Sequence, residues 1–173
     1  MPFDDLKLFE GLDAVARAAR SREPQELFAA VDQYACQFLQ HSLCTVNRYD
    51  PATQRVMRLY SSNPTAYPVG GSKEKAGTDW ARQVLIEQRM FVGEDEASIR
   101  LSFDDFEAIR ALGLQSVINV PVVARDICLG TINFLMQHPG IHAAQIQGAR
   151  LAALLATPGF MTVPTPEDGR SSS

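Results

Sequence analysis

The chain has 173 residues, is 46% hydrophobic and carries a formal net charge of −4. That length suits one domain with a full core, needing neither disulfides nor a structural metal. The acidic balance gives no pull toward nucleic acid or an anionic membrane surface, and no apolar run approaches the roughly 20 residues that span a bilayer.

The first residues, MPFDDLKLFEGLD, are acidic where an export signal is basic, so the expected location is cytoplasmic. Leu6, Phe9, Leu12, Ala16 and Ala19 recur at helical spacing and predict an opening helix that ends at Ser21 to Pro24. A second helix follows, with Leu27, Phe28, Val31, Tyr34, Ala35, Phe38 and Leu39 on one stripe. Residues 43–50 and 55–62 read as strands joined by the turn residues Pro51 to Gln54. Pairing Asp50 with Arg55 at constant register puts Cys44, Val46, Met57 and Leu59 on one face. Thr45, Asn47, Tyr49, Val56, Arg58 and Tyr60 then share the other. The first face belongs against the opening helices; the second, polar and aromatic, meets solvent or a ligand.

Residues 61–77 form a long Gly- and Pro-containing loop, of a length that is commonly functional or mobile. Thr78 is placed to cap a helix reaching Gln88, with Trp80, Val84 and Leu85 inward. Residues 90–92 suit a short strand. Ser102 is placed to cap another helix, whose apolar stripe is Phe103, Phe106, Ile109 and Leu112 and whose stop is Gly113. Between Ser116 and Met136, two apolar arms flank the polar break Arg125-Asp126, which predicts a largely buried β-hairpin. Pro121 cannot donate to a ladder and Gly130 has no side chain to pack, so each marks an irregularity or an edge. Constant register about that turn sets Asn133 opposite Ile118 and separates it from Asn119. A last helix is expected over 143–156, ending before Pro158, with a disordered tail over 158–173. The order of elements predicts an α+β fold, an antiparallel sheet with helices on its faces.

The three cysteines, Cys36, Cys44 and Cys128, have no metal-ligand spacing and read as free thiols. Cys44 and Cys128 fall in apolar strand patterns, whereas Cys36 points away from its helix's apolar stripe. His138 and His142 bracket a Pro-Gly turn and read as loop residues. The acidic groups Glu94 to Glu96 and Asp104, Asp105 and Glu107 read as solvated helix starts. No catalytic set and no metal set emerges. A strand-centre asparagine in an apolar run needs partners, either protein groups or a ligand.

The hairpin pattern Val-Pro-Val, turn, Leu-Gly-Thr-Ile-Asn resembles the closing hairpin of GAF domains, small sensory modules related to PAS domains. Cys44 to Pro51 (CTVNRYDP), Ser116 to Pro121 and Leu129 to Leu135 carry the likeness. It implies an N-terminal dimerising helix over 1–22, a GAF domain over 23–157, and a pocket between the sheet and the segments joining its middle strands. Thr45 in the first strand and Asn133 in the last would line that pocket, with Phe103, Glu107 and Arg110 from the helix after Ser102. Tyr60 joins them by sharing Thr45's face, and Trp80 as an aromatic roof. No cysteine lies between Ala81 and Ile127, so a covalent bilin is not expected. The function so implied is small-molecule sensing without catalysis, with ligand and cofactor unidentified. The signal would pass through a homodimer of the N-terminal helices or to a separate effector protein. Two other readings stand beside it. One is a GAF-fold redox enzyme of the methionine sulfoxide reductase type using one of the cysteines; the other is an interaction module with a filled pocket.

Overall fold

The computed structural model describes residues 8–161. Leu6 and residues 162–173 of the expected tail lie outside the described residues. The elements run α1 (Leu12–Ala18), α2 (Pro24–Leu39), β1 (Leu43–Asp50), β2 (Arg55–Ser61), β3 (Ser72–Glu74) and α3 (Asp79–Ala81), which widens into a π-helical turn (Arg82–Ile86). They continue with β4 (Phe91–Gly93), α4 (Glu96–Ser102), α5 (Phe106–Ala111), β5 (Ser116–Ala124), β6 (Ile127–Met136) and α6 (Ala143–Met161). The strands form one antiparallel sheet in the order β3-β2-β1-β6-β5-β4. The α+β architecture with helices on both faces is the one the sequence predicts.

One face carries the main core. Phe28, Val31 and Leu39 of α2 and Ala149, Ala152 and Ala156 of α6 pack on Val46, Ile118, Ile132 and Phe134. Pro24 occupies the first turn of α2, where a missing N–H leaves no helix bond unmade. Helix α1 lies on α2, but with a different face inward from the one expected. Gly11, at φ 85°, breaks the helix, so Val15 is buried with Leu12 and Ala18 beside it, while Ala16 and Ala19 face out. Helix α6 runs past Pro158 to Met161 instead of stopping before it. Burial of Gly159 and Phe160 against Phe28, whose ring meets that of Phe160 edge-on at 5.6 Å, holds the last turn in place.

The opposite face is covered by short elements. Phe106 and Ile109 of α5 and Ile99 of α4 pack on Leu43, Val117 and Leu135, while Trp80 and Val84 of α3 pack with Tyr49, Val56 and Cys128. Ser102 is the last residue of α4, not a cap; the helix carrying Phe106 starts four residues later. Part of the expected long loop pairs with β2 as β3.

Two β-bulges decide which side chains reach that face. In the β1–β2 pair, Asn47 opposes Arg58 but Val46 opposes Tyr60, so Leu59 is the extra residue. In the β5–β6 hairpin, Arg125 and Asp126 both adopt positive φ in the tight turn. Val123 opposes Cys128 but Val122 opposes Gly130, so Leu129 is extra. Beyond each bulge the register slips by one, and the side-chain faces exchange. Asn133 therefore lies directly opposite Asn119, not Ile118. On its other side β6 lies hard against β1 at Gly130, where a Cβ would stand 1.9 Å from the Asn47 carbonyl oxygen.

Candidate functional site

The pocket lies where the two smaller apolar clusters meet, between the sheet and its cover. Its floor comes from β1, β6 and β5, which present Leu43, Thr45, Asn133, Leu135, Val117 and Asn119. Trp80, Phe103 and Ile109 close it from the helical side. Arg58, Tyr67, Lys73 and Lys75 form the outer wall together with Asp105. The space within this half-open pocket measures about 80 Å³.

A chain of buried hydrogen bonds crosses the floor. The Trp80 indole N–H donates to Asn119 Oδ1 at 2.9 Å, and Asn119 Nδ2 donates to Asn133 Oδ1 at 2.7 Å. Asn133 Nδ2 in turn donates to Thr45 Oγ1 at 3.1 Å and Thr131 Oγ1 at 3.2 Å. The buried amides thus find their partners within the protein, as low-dielectric surroundings require. Three strands and the cover helix are tied by one polar line.

The outer wall is different in kind. Arg58 Nη1 donates to the Pro68 carbonyl at 3.1 Å, and the guanidinium lies over the Tyr67 ring at 5.0 Å. Its Nε–H is buried with no acceptor. Lys75 Nζ sits over the Trp80 ring at 5.3 Å, and Lys73 pairs with Asp105 at 3.7 Å. Burial, reinforced by the charge of Lys73, lowers the Lys75 pKa. Burial also raises the Tyr67 pKa, helped by Asp105, which stands near the hydroxyl but outside good hydrogen-bond geometry.

Four of the residues expected from sequence meet here: Thr45, Trp80, Phe103 and Asn133. Tyr60 does not. The bulge at Leu59 turns it to the opposite face, where it touches Phe28 and its hydroxyl donates to Asp32 Oδ2 at 2.7 Å. Glu107 and Arg110 are exposed and lie off the pocket, because α5 turns Phe106 and Ile109 inward and each predicted residue is one step further round the helix. Asn119, Arg58, Tyr67, Lys73, Lys75 and Asp105 were not singled out. Arg58 was visible on the polar face of its strand; the lysines were hidden in a stretch that reads as loop.

On the helical face, Asp32, His41 and Cys44 bring possible metal-ligating atoms within 4.8 Å of one another. Both carboxylate oxygens of Asp32 are already engaged, one with His41 Nε2 at 2.6 Å and the other with Tyr60. Burial, with the charge of Asp32, pushes the Cys44 thiol well above its ordinary range. Asp32, His41 and Tyr60 thus form a hydrogen-bonded knot in the core beside Cys44, with His41 Nδ1 left unpaired.

No family model matches the chain, and no curated protein matches it. Solved structures do. The GAF domain of an Acinetobacter phosphoenolpyruvate-protein phosphotransferase aligns at TM-score 0.71 and 14% identity, over 93% of this chain and 95% of that one. The corresponding GAF domain from Coxiella burnetii aligns at TM-score 0.67 and 13% identity, over 90% and 94%. The chromophore-binding domain of an unusual bacteriophytochrome from R. palustris aligns at 0.66 and 10%, over 88% of this chain and 59% of that one. The chain has the GAF fold.

Proposed function

We propose that the protein is a sensory module that binds a small molecule between the sheet and its short-element cover, and does no chemistry on it. The observation that carries this reading is the pocket itself: apolar walls, a satisfied polar floor and a charged outer wall, built from the face of the sheet that the main core does not use. The chromophore-binding domain among the structural neighbours favours the same reading.

Occupancy would be relayed through β1, whose alternate residues line the pocket and face α2. Helix α1 is folded onto α2, with the Tyr34 hydroxyl donating to the Leu8 carbonyl at 2.6 Å. A homodimer would then use the outer surface of α1, and a separate effector protein is the other route for the signal. Helices of the described residues are too short or too polar to cross a membrane.

The redox alternative has less support. All three thiols are shifted up from their ordinary pKa, Cys128 to about 11 by burial, which leaves little thiolate for attack. Native mass spectrometry of freshly purified protein, with thermal-shift measurements over a broad metabolite panel, tests the proposal. A co-purified small molecule or a dose-dependent rise in Tm is expected. Neither, together with turnover of free methionine sulfoxide by the reduced protein, would replace sensing with catalysis.

A further inference from the structure

We propose that the ligand is a small organic oxyanion, its charged group held by Arg58, Lys73 and Lys75 and its short apolar body lying against Trp80 and Phe103. The proposal deepens the sensory reading and rests on it. In a chain of net charge −4, the outer wall of this pocket gathers three cations against the single carboxylate of Asp105. Strand register places two of them. Lys73 opposes Val56, and Arg58 exchanges backbone hydrogen bonds with Gly70 and Gly71, so both side chains stand on the pocket face of the sheet.

Asp105 pairs with Lys73. Neither Arg58 nor Lys75 has an ion-pair partner among the described residues, although Asp105 acts on both from further away and Asp104 on Lys75. A half-buried guanidinium with an unpaired Nε–H is costly unless an acceptor arrives, and a carboxylate or phosphate oxygen is the acceptor whose geometry fits it. The polar floor offers no competing recognition, because Asn119 and Asn133 are occupied with each other and with Trp80 and Thr45. Size narrows the class further. A pocket with about 80 Å³ of space admits a compact acid and leaves anything longer protruding at its open rim.

Trp80 is the chain's one tryptophan, so its fluorescence reports this pocket alone. The test titrates acetate, propionate and butyrate, the matching amides, and inorganic phosphate. Saturable emission changes are expected with the acids, tightening from acetate to butyrate, and binding of the amides should be about tenfold weaker or less. Arg58→Gln and Lys75→Gln should each weaken acid binding about tenfold. Lys73→Gln, at a half-exposed side chain, should weaken it severalfold. Amides binding as tightly as acids would overturn the charge assignment, and phosphate binding more tightly than every acid would overturn the apolar body. Both results leave a ligand pocket standing. No saturable response to any probe, charged or neutral, would overturn the oxyanion and count against the sensory reading with it.

Discussion

Asn119 is the pivot of the polar line under the pocket, accepting from Trp80 and donating to Asn133. Asn119→Leu keeps the branched shape but leaves a buried indole N–H and a buried amide oxygen unpaired. At about 1–3 kcal/mol for each orphaned group, the loss of stability should be about 2–6 kcal/mol in urea denaturation. Adding Trp80→Phe should cost less in the Asn119→Leu background than alone, since the indole has already lost its partner. The buried thiols give a second residue-level prediction. Burial raises the Cys128 pKa from an ordinary 9.0 to about 11, and shifts Cys44 the same way. A raised pKa means the fold holds the proton more tightly than the unfolded chain does. The contribution is therefore complete below pH 9.0 and lost as pH climbs through about 11. The urea midpoint should fall over that interval, and Cys128→Ala should flatten the decline; an unchanged slope would remove the thiol from the explanation. Individual side chains were legible where a strand's alternation or a fold resemblance reached them, as with Thr45 and Asn133. Glu107 and Arg110 failed on helix phase. Lys73 and Lys75 carry no local sign of what they face, because a surface lysine and a pocket lysine look alike in sequence.

Helices α2 and α6 approach unusually closely, and small residues on α6 make this possible. A Cβ at Gly148 would stand 2.8 Å from Phe38 Cβ, and one at Gly159 would stand 2.5 Å from the Phe28 ring. Gly159→Ala sets two effects against each other. Helix propensity favours alanine by about 1 kcal/mol, whereas overpacking against the fully buried Phe28 costs about 1–3 kcal/mol. The clash should win, and chemical denaturation should show a net destabilisation of up to about 2 kcal/mol; a stabilised variant would mean that the helices can part. At this scale the sequence was informative about long periodic elements, α2 and the β5–β6 hairpin above all. It was silent about β3 and gave only the acidic start Glu94 to Glu96 for α4, since both elements are too short to show a period. It also misled at the bulges, since a single extra residue leaves no mark in an apolar run yet reverses every side chain beyond it. Tyr60 and the Asn119–Asn133 pair were both misplaced for that one reason.

The two faces of the sheet differ in how they are held, and this sets an expectation for the whole molecule. The helical face rests on the long helices α2 and α6 and on one continuous core that includes Phe28, Val31, Leu39 and Phe134, all fully buried. The pocket face is covered by α3, α4 and α5 with β3 and β4 at the edges, none longer than eight residues, packed in two smaller clusters with the cavity between them. Local opening needs less free energy where fewer apolar contacts must be broken. Native-state hydrogen exchange should therefore resolve two levels: slow amides in β1, β5, β6, α2 and α6, and faster ones from Ser62 through Gly113. A ligand that binds the closed pocket stabilises it by RT ln(1 + [L]/Kd), about 2.7 kcal/mol at a hundredfold excess over Kd. That gain should appear as slower exchange in the cover, whose opening releases the ligand, and equally in the central strands, since global unfolding releases it too; amides whose local opening leaves the pocket intact should not change. Butyrate is the probe to use, with butyramide as its neutral control. Protection that rose equally with both would deny the outer wall its charge selectivity, and protection confined to α1 and α2 would move the binding site to the other face of the sheet.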